Sequence, residues 1–146
     1  MCKRFNKMPK CFKPVFIVSC TRKKIWDFDK NAPDKVPAKD AYKGSTFLKF
    51  LDLLNTIDSV DWFVFSSKYG IIEPEHPIEN YDIHFIKDRD KAISEEQLIK
   101  QIKGHNIDKV ENVYFVGSSD EYYEKLKRIF KKVNVRLSRF KISNDI

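Results

Sequence analysis

The sequence predicts an α/β fold, a three-layer open and mostly parallel sheet of about four to five strands with helices on both faces. Three apolar runs, at residues 15–18, 62–65 and 113–116, have the near-continuous hydrophobicity of strands that are covered on both faces. Stretches with the spacing of amphipathic helices separate these runs. Each run also ends abruptly in small polar and charged residues, which is typical of the ligand-binding edge of an open α/β sheet.

The first run is followed by residues 24–43, which show no clean period and contain Pro33 and Pro37, so we predict a long irregular loop there. A helix is then expected to begin near Ser45, because apolar residues recur with the spacing of one helix face. These residues are Phe47, Phe50, Leu51 and Leu54.

Residues 71–93 form a second predicted irregular stretch, which we expect to lie over the carboxyl edge of the sheet. The next helix is predicted to begin at Ser94, because Ser94-Glu95-Glu96-Gln97 matches a capping box, and to end at Gly104. Its inner face consists of Leu98, Ile99 and Ile102.

The last part of the chain predicts a helix and an edge strand. The helix covers residues 120–132, and its apolar side consists of Tyr122, Leu126, Ile129 and Phe130. Apolar and polar residues then alternate over 133–138, which is the period of a half-exposed strand at the edge of a sheet.

The chain has 146 residues, enough for one domain with a normal core, and we predict a single domain over 1–146 with a basic arm at 1–13 and a short tail at 140–146. The net charge of +7 is concentrated at the two ends of the chain. Such clustering is found on solvated surfaces and also on surfaces that bind nucleic-acid phosphates. The candidate nucleic-acid-binding residues are Lys125, Lys127, Arg128, Lys131 and Lys132.

The sequence contains no pattern for a metal, a cofactor or a membrane span. Cys2, Cys11 and Cys20 do not have the spacing of zinc ligands, and their odd number favours reduced thiols in a cytoplasmic protein. The three histidines are scattered, and neither a dinucleotide fingerprint nor a Walker loop occurs, so we predict no metal and no cofactor. No apolar run approaches the roughly 18 residues that span a membrane.

Gly44 and Ser45 open the predicted helix directly after Lys43. Free backbone N–H groups, the helix dipole and an ammonium would meet there, which makes this the best phosphate-binding candidate. The alternative is that Ser45 is an ordinary N-cap.

Lys68, Tyr69 and Gly70 follow the second strand. A lysine there can contact a phosphate, a tyrosine can stack on a base or donate a proton, and the glycine permits a positive φ. The alternatives are an exposed cation at the strand end and a tyrosine packed on the edge of the sheet.

The helix after the third strand has Asp120 and Glu121 in its first turn, which would repel a phosphate and suit ribose hydroxyls or a cationic transition state. Plain capping by Ser118 with Glu121 is the alternative.

After the first strand, Cys20 has no evident histidine base, which favours a small buried filler over a nucleophile.

We therefore predict that the protein binds or acts on a nucleotide, a nucleoside or a nucleobase-derived group, and an enzyme of this kind would modify a glycosidic bond or a nucleobase. Candidate catalytic residues are Asp40, Lys68, Tyr69 and Asp120. Candidate ligand-binding residues are Ser19, Lys23, Tyr42, Lys43, Gly44, Ser45, Ser66, Ser67, Gly70, Tyr81, Gly117, Ser118 and Ser119. The alternatives are a non-catalytic DNA- or RNA-binding module and a basic surface that docks an acidic protein. The sequence predicts no oligomeric state.

The motifs at these strand ends resemble those of the YaaA-like superfamily, which comprises peroxide-stress proteins and shorter domains of unknown function. The similar segments are residues 19–23, 40–45, 65–74 with Ile78 and Tyr81, and 117–122. The resemblance implies DNA binding, protection against oxidative DNA damage and a relationship to enzymes of nucleobase modification.

Overall fold

The structure is a computed structural model that describes residues 13–57 and 60–142. Residues 1–12 of the predicted basic arm and 143–146 of the predicted tail lie outside the described residues. The elements in chain order are β1 (Val15–Ser19), α1 (Ile25–Phe28), β2 (Val36–Pro37), α2 (Ala38–Ala41), α3 (Ser45–Leu54), β3 (Asp61–Ser66), β4 (Gly70–Ile72), β5 (Pro77–Ile78), α4 (Glu95–Gly104), a 3-10 turn (Ile107–Lys109), β6 (Val113–Val116), α5 (Asp120–Lys131) and β7 (Leu137–Arg139).

Five strands form one mostly parallel sheet in the order β4-β3-β1-β6-β7, which confirms the predicted fold class. The central strand β1 pairs in parallel with β3 on one side and with β6 on the other. The connection that leaves β1 leads to β3 on one side of the sheet, whereas the connection that leaves β6 leads to β7 on the opposite side. The carboxyl ends of β1 and β6 form the switch point at which open α/β sheets bind ligands.

Helices cover both faces of this sheet, as predicted. On one face, Phe47 and Phe50 of α3 pack with Phe16 and Val18 of β1. On the other face, buried residues of α4 and α5 pack against the alternate side chains of the strands, and these helix residues are Leu98, Ile102, Leu126, Ile129 and Phe130. Burial on both faces explains why the strands read as continuous apolar runs.

The N-terminal cap predicted from the sequence is observed at α4, whereas the cap observed at α5 differs from the predicted one. Ser94 and Gln97 form the predicted capping box at α4. At α5 the cap is Ser119, whose hydroxyl accepts the N–H of Tyr122 at 3.1 Å, so the predicted capping box of Ser118 with Glu121 is wrong. The helix begins one residue later than that pattern implies.

The predicted irregular stretches contain short elements. Residues 24–43 hold α1, β2 and α2, and the prediction of a long irregular loop there is wrong. Strand β2 pairs with β5, so the two predicted loops form an antiparallel ribbon in which Val36 lies opposite Ile78. Two-residue strands are too short to give a readable period.

The predicted edge strand lies at the edge of the sheet, parallel to β6, but it is confined to Leu137–Arg139. Asn134 has a φ of 60°, in the left-handed region, and so turns the chain out of α5 before the strand can begin. Among the described residues, no helix is both long and apolar enough to cross a membrane.

Candidate ligand-binding cleft

A cleft of about 680 Å³ lies at the carboxyl ends of β1, β3 and β6. One wall is the N-terminus of α3, and the other includes Ile83, His84 and Tyr122. The predicted residues that line the cleft are Ser19, Lys23, Gly44, Ser45, Ser67, Tyr81, Gly117, Ser118 and Ser119. The three polar strand ends that were expected to converge therefore meet in one cleft.

The other predicted site residues do not line this cleft. They are Asp40, Tyr42, Lys43, Ser66, Lys68, Tyr69, Gly70 and Asp120. Asp40 is exposed on α2. Lys43, next to the cleft, donates its backbone N–H to the Lys23 carbonyl at 2.9 Å.

The segment from Ser66 to Gly70 forms the turn between β3 and β4. The Ser66 hydroxyl accepts the backbone N–H groups of Lys68 and Tyr69 at 3.1 and 3.0 Å. Gly70 has a φ of 85°, and a Cβ there would lie 2.1 Å from Oε1 of Gln101. The exposed Lys68 places its amino group 5.2 Å from the centre of the Tyr69 ring. The unusual composition of this segment thus meets the demands of a tight hairpin.

Asp120 lies on the exposed side of α5 and accepts a hydrogen bond from Nη1 of Arg139 at 2.6 Å. This arginine holds the pKa of the Asp120 carboxyl below its usual value. Nη2 of Arg139 also donates to the Gly117 carbonyl at 2.8 Å. Asp120 and Arg139 therefore fix the loop that leads from β6 into the cleft.

The N-terminus of α3 is open toward the cleft. Its N-cap is Gly44, so the alternative interpretation of Ser45 as the N-cap is wrong. Gly44 donates its N–H to the Thr21 hydroxyl at 3.1 Å, and a Cβ on Gly44 would lie 2.5 Å from Cγ2 of Thr21. This close approach brings the loop after β1 against the helix. Since a glycine cap has no side chain and the first turn holds no acid, the N–H groups of that turn can receive an anion.

The cleft is cationic. Four basic residues line it, namely Arg22, Lys23, Lys24 and Lys87, against the single carboxylate of Asp82. Arg22, Lys23 and Lys87 are exposed, whereas Lys24 is buried. This balance of charge favours an anionic ligand.

The backbone of Lys24 is fixed from two sides. It forms an isolated bridge with Tyr42, and its N–H donates to Oδ2 of Asp27 at 2.9 Å. Its amino group lies 4.5 Å from the centre of the Tyr81 ring and 3.4 Å from the Arg22 carbonyl oxygen. Burial lowers the pKa of Lys24, an effect that the nearby Cys20, Asp27 and Asp82 oppose.

A chain of hydroxyls underlies the cleft. The Tyr81 hydroxyl lies 2.6 Å from that of Tyr42 and 2.8 Å from that of Ser66. Burial raises the pKa of both tyrosines above the ordinary value. Tyr42 and Ser66 do not line the cleft, but their hydroxyls hold the Tyr81 ring in the position where it packs against Lys24.

Cys20 lies in the cleft at the end of the central strand, and its thiol is free. Burial raises the pKa of this thiol, although hydrogen bonding by Ser67 and Tyr81 and the charge of Lys24 act in the opposite direction. The thiol therefore stays protonated at neutral pH.

The second wall presents an imidazole and a phenol. Nδ1 of His84 accepts the backbone N–H groups of Ile86 and Lys87, both at 3.1 Å, which leaves Nε2 as the donor nitrogen of the ring. The Tyr122 hydroxyl accepts the Phe85 N–H at 2.9 Å, and burial raises the pKa of Tyr122 to about 12.

Sequence reasoning did not identify ten residues of the cleft as ligand-binding: Cys20, Thr21, Arg22, Lys24, Thr46, Asp82, Ile83, His84, Lys87 and Tyr122. The basic run at residues 22–24 was a usable signal, because it follows the central strand directly. The segment 81–87 had no such signal, since its position depends on tertiary contacts such as the bond from the Ser67 hydroxyl to the Ile83 carbonyl.

The five basic residues of the predicted nucleic-acid surface lie on α5 and just after it, and three of them contact other side chains. Lys125 lies 4.1 Å from the centre of the Phe85 ring, and Lys132 pairs with Glu95 at 2.5 Å. The amino group of Lys127 lies 5.6 Å from the centre of the Tyr123 ring. Lys127, Arg128 and Lys131 are exposed, and Lys127 and Lys131 border a groove of about 470 Å³. Nucleic-acid binding at this surface stays a prediction.

Over residues 13–57 and 60–142, no group of three or more His, Cys, Asp or Glu side chains is placed to hold a metal ion.

Comparison with known proteins corrects the expected family. A model of the family of unknown function DUF6884 matches residues 15–145. The uncharacterized protein YfjM of Bacillus subtilis (strain 168) is 27% identical over 106 residues, which cover 72% of this chain and 69% of YfjM. No solved structure matches.

The predicted membership of the YaaA-like superfamily is wrong, because the matching family is a different one. The segment that carried most of that resemblance, Ser66 to Gly70, is a hairpin turn whose residues satisfy backbone geometry. Such a turn is not specific to one family. The match over residues 15–145 shows that this chain belongs to DUF6884, a family of unknown function.

Proposed function

We propose that the cleft binds a phosphate-bearing small molecule of the nucleotide or nucleoside-derived class. The observation that carries this proposal is the meeting of a basic loop after the central strand with the open N-terminus of α3 at the switch point of the sheet. Helix N-termini and basic side chains together favour phosphate, because the backbone donors and the positive charges act on the same group.

The size and lining of the cleft support a ligand larger than phosphate alone. A volume of about 680 Å³ falls within the usual range of small-molecule sites, about 300–1,000 Å³. Ser118 and Ser119 provide hydroxyls near the end of β6, and the opposite wall presents His84 and Tyr122. These groups suit the hydroxyls and the ring of a nucleoside, while the basic loop takes its phosphate.

A thermal-shift series tests this proposal. Nucleoside 5′-monophosphates are expected to raise the unfolding midpoint more than the matching nucleosides or inorganic phosphate do. A ligand at one hundred times its Kd adds about 2.7 kcal/mol to the free energy of unfolding. The double variant Arg22→Gln/Lys23→Gln should lose most of this stabilisation, since it removes two exposed cations of the cleft.

The matched control is Lys100→Gln/Lys103→Gln, which removes two exposed charges from α4, outside the cleft. It should retain the full response to nucleotides. A midpoint that no nucleotide or nucleoside changes at millimolar concentration would overturn the proposal. A response that follows Lys127→Gln/Lys131→Gln in place of the cleft variant would assign phosphate binding to the surface of α5.

A further inference from the structure

Lys24 differs from the other basic residues of the cleft in its burial and in its lack of a counter-ion. It is 6% exposed, yet it lines the cleft. The ion pairs of the described residues do not include it, and the polar contact of its amino group is the 3.4 Å approach to the Arg22 carbonyl oxygen. Burying a cation without a counter-ion costs free energy, so such a residue is a candidate for a functional role.

The surroundings of Lys24 raise the fraction of its neutral amine above that of an exposed lysine. The Tyr81 ring covers the amino group from one side, and the Tyr81 hydroxyl is already engaged by Tyr42 and Ser66. The charged or titratable groups whose electrostatic influence reaches it are Cys20, Asp27 and Asp82, and burial outweighs them to lower the pKa of Lys24. A desolvated lysine of this kind is the usual form of a nucleophilic amine.

We propose that Lys24 is the nucleophile of the cleft and that it forms an imine with an aldehyde or ketone carbon of a phosphate-bearing ligand. The phosphate part of this statement rests on the proposed function, whereas the reactivity of the amine does not. The lone pair of Nζ attacks the carbonyl carbon, the carbonyl oxygen takes up one proton from the nitrogen and one from an acid, and water leaves as the C=N bond of a protonated imine forms. The reaction involves no oxidation or reduction.

The second proton can come from the thiol of Cys20, which is left as a thiolate beside the protonated imine. Its thiol lies in the same cleft, is within the electrostatic influence of Lys24 and is protonated at neutral pH. Arg22 and Lys23, which precede Lys24 in the loop, are exposed and can hold the phosphate of the same ligand.

Pyridoxal 5′-phosphate is a suitable probe, because it carries both an aldehyde and a phosphate. The full chain is incubated with the probe near pH 8 and reduced with borohydride, and the labelled peptide is identified by mass spectrometry. Labelling is expected at Lys24 in preference to Lys23 and Lys87. At this pH the neutral fraction of an amine rises about tenfold for each unit by which its pKa is lowered, so Lys24 is expected to react faster than the exposed lysines.

Two variants separate reactivity from charge. Lys24→Arg keeps the positive charge but has no amine that forms an imine, so labelling of the cleft should be lost while stabilisation by nucleotides is largely retained. Lys100→Arg is the matched change at an exposed lysine of α4, outside the cleft, and should leave labelling at Lys24. Equal labelling of the exposed lysines, or labelling that persists in Lys24→Arg, would overturn the proposal.

The arms of the experiment also keep the two proposals apart. Preferential labelling of Lys24 by pyridoxal and pyridoxal 5′-phosphate at equal rates would support the amine and contradict the phosphate site. Stabilisation by nucleotides without labelling of Lys24 would support the phosphate site and contradict the amine.

Discussion

Replacement of Phe65 by alanine is expected to lower the free energy of unfolding by about 3–5 kcal/mol. Phe65 is fully buried on β3, beside the central strand. Its ring lies 4.7 Å from that of Phe85 and 6.1 Å from that of Tyr122, both in edge-to-face orientation. The substitution removes these contacts and leaves a cavity where the sheet, α5 and the loop at residues 81–87 meet.

Chemical denaturation followed by circular dichroism measures this loss. The control is Phe28→Ala, because Phe28 is 68% exposed and should contribute less than about 0.5 kcal/mol. Equal losses for the two variants would show that the ring of Phe65 is not part of the core. The same Phe65 variant is expected to bind nucleotides more weakly, since Phe85 and Tyr122 support the second wall of the cleft.

Replacement of Lys24 by methionine is expected to weaken the binding of a nucleoside 5′-monophosphate by about 10- to 100-fold. A hydrogen bond to a charged group contributes about 1.5–3 kcal/mol, and methionine keeps the length of the side chain without its charge. The free energy of unfolding should stay unchanged or rise, because the variant no longer buries an unpaired cation. Isothermal titration calorimetry and denaturation together measure both effects.

Lys100→Met is the matched control, because it removes one exposed lysine from α4 and none from the cleft. It should bind the nucleotide as the unchanged protein does. Unchanged affinity in Lys24→Met would show that the buried amine does not contact the phosphate. A large loss of stability in that variant would instead indicate a structural role for Lys24 within the loop after β1.

The regular elements of this fold could be predicted because their hydrophobic patterns are local. Phe47 and Phe50 lie one helical turn apart, and both are buried on α3. The capping box at Ser94 likewise predicted the start of α4. The cleft followed from topology, since the carboxyl ends of parallel strands meet at one edge of the sheet.

Individual side chains of the site were harder to predict, because proximity in sequence to a strand end does not determine direction. Lys68 lies two residues after β3 but is exposed to solvent beside Tyr69. Asp120 is held outside the cleft by Arg139, which comes from a strand that the chain reaches later. Lys24 enters the cleft because its backbone pairs with that of Tyr42. No local sequence pattern indicates such tertiary contacts.

The most direct test of the phosphate-binding cleft is a crystal structure of the protein with a nucleoside 5′-monophosphate. The phosphate is expected among Lys24, Arg22 or Lys23 and the N-terminal N–H groups of α3, and the nucleoside is expected toward His84 and Tyr122. A nucleotide bound along α5 near Lys127 and Lys131, or an empty cleft at saturating ligand, would contradict the account.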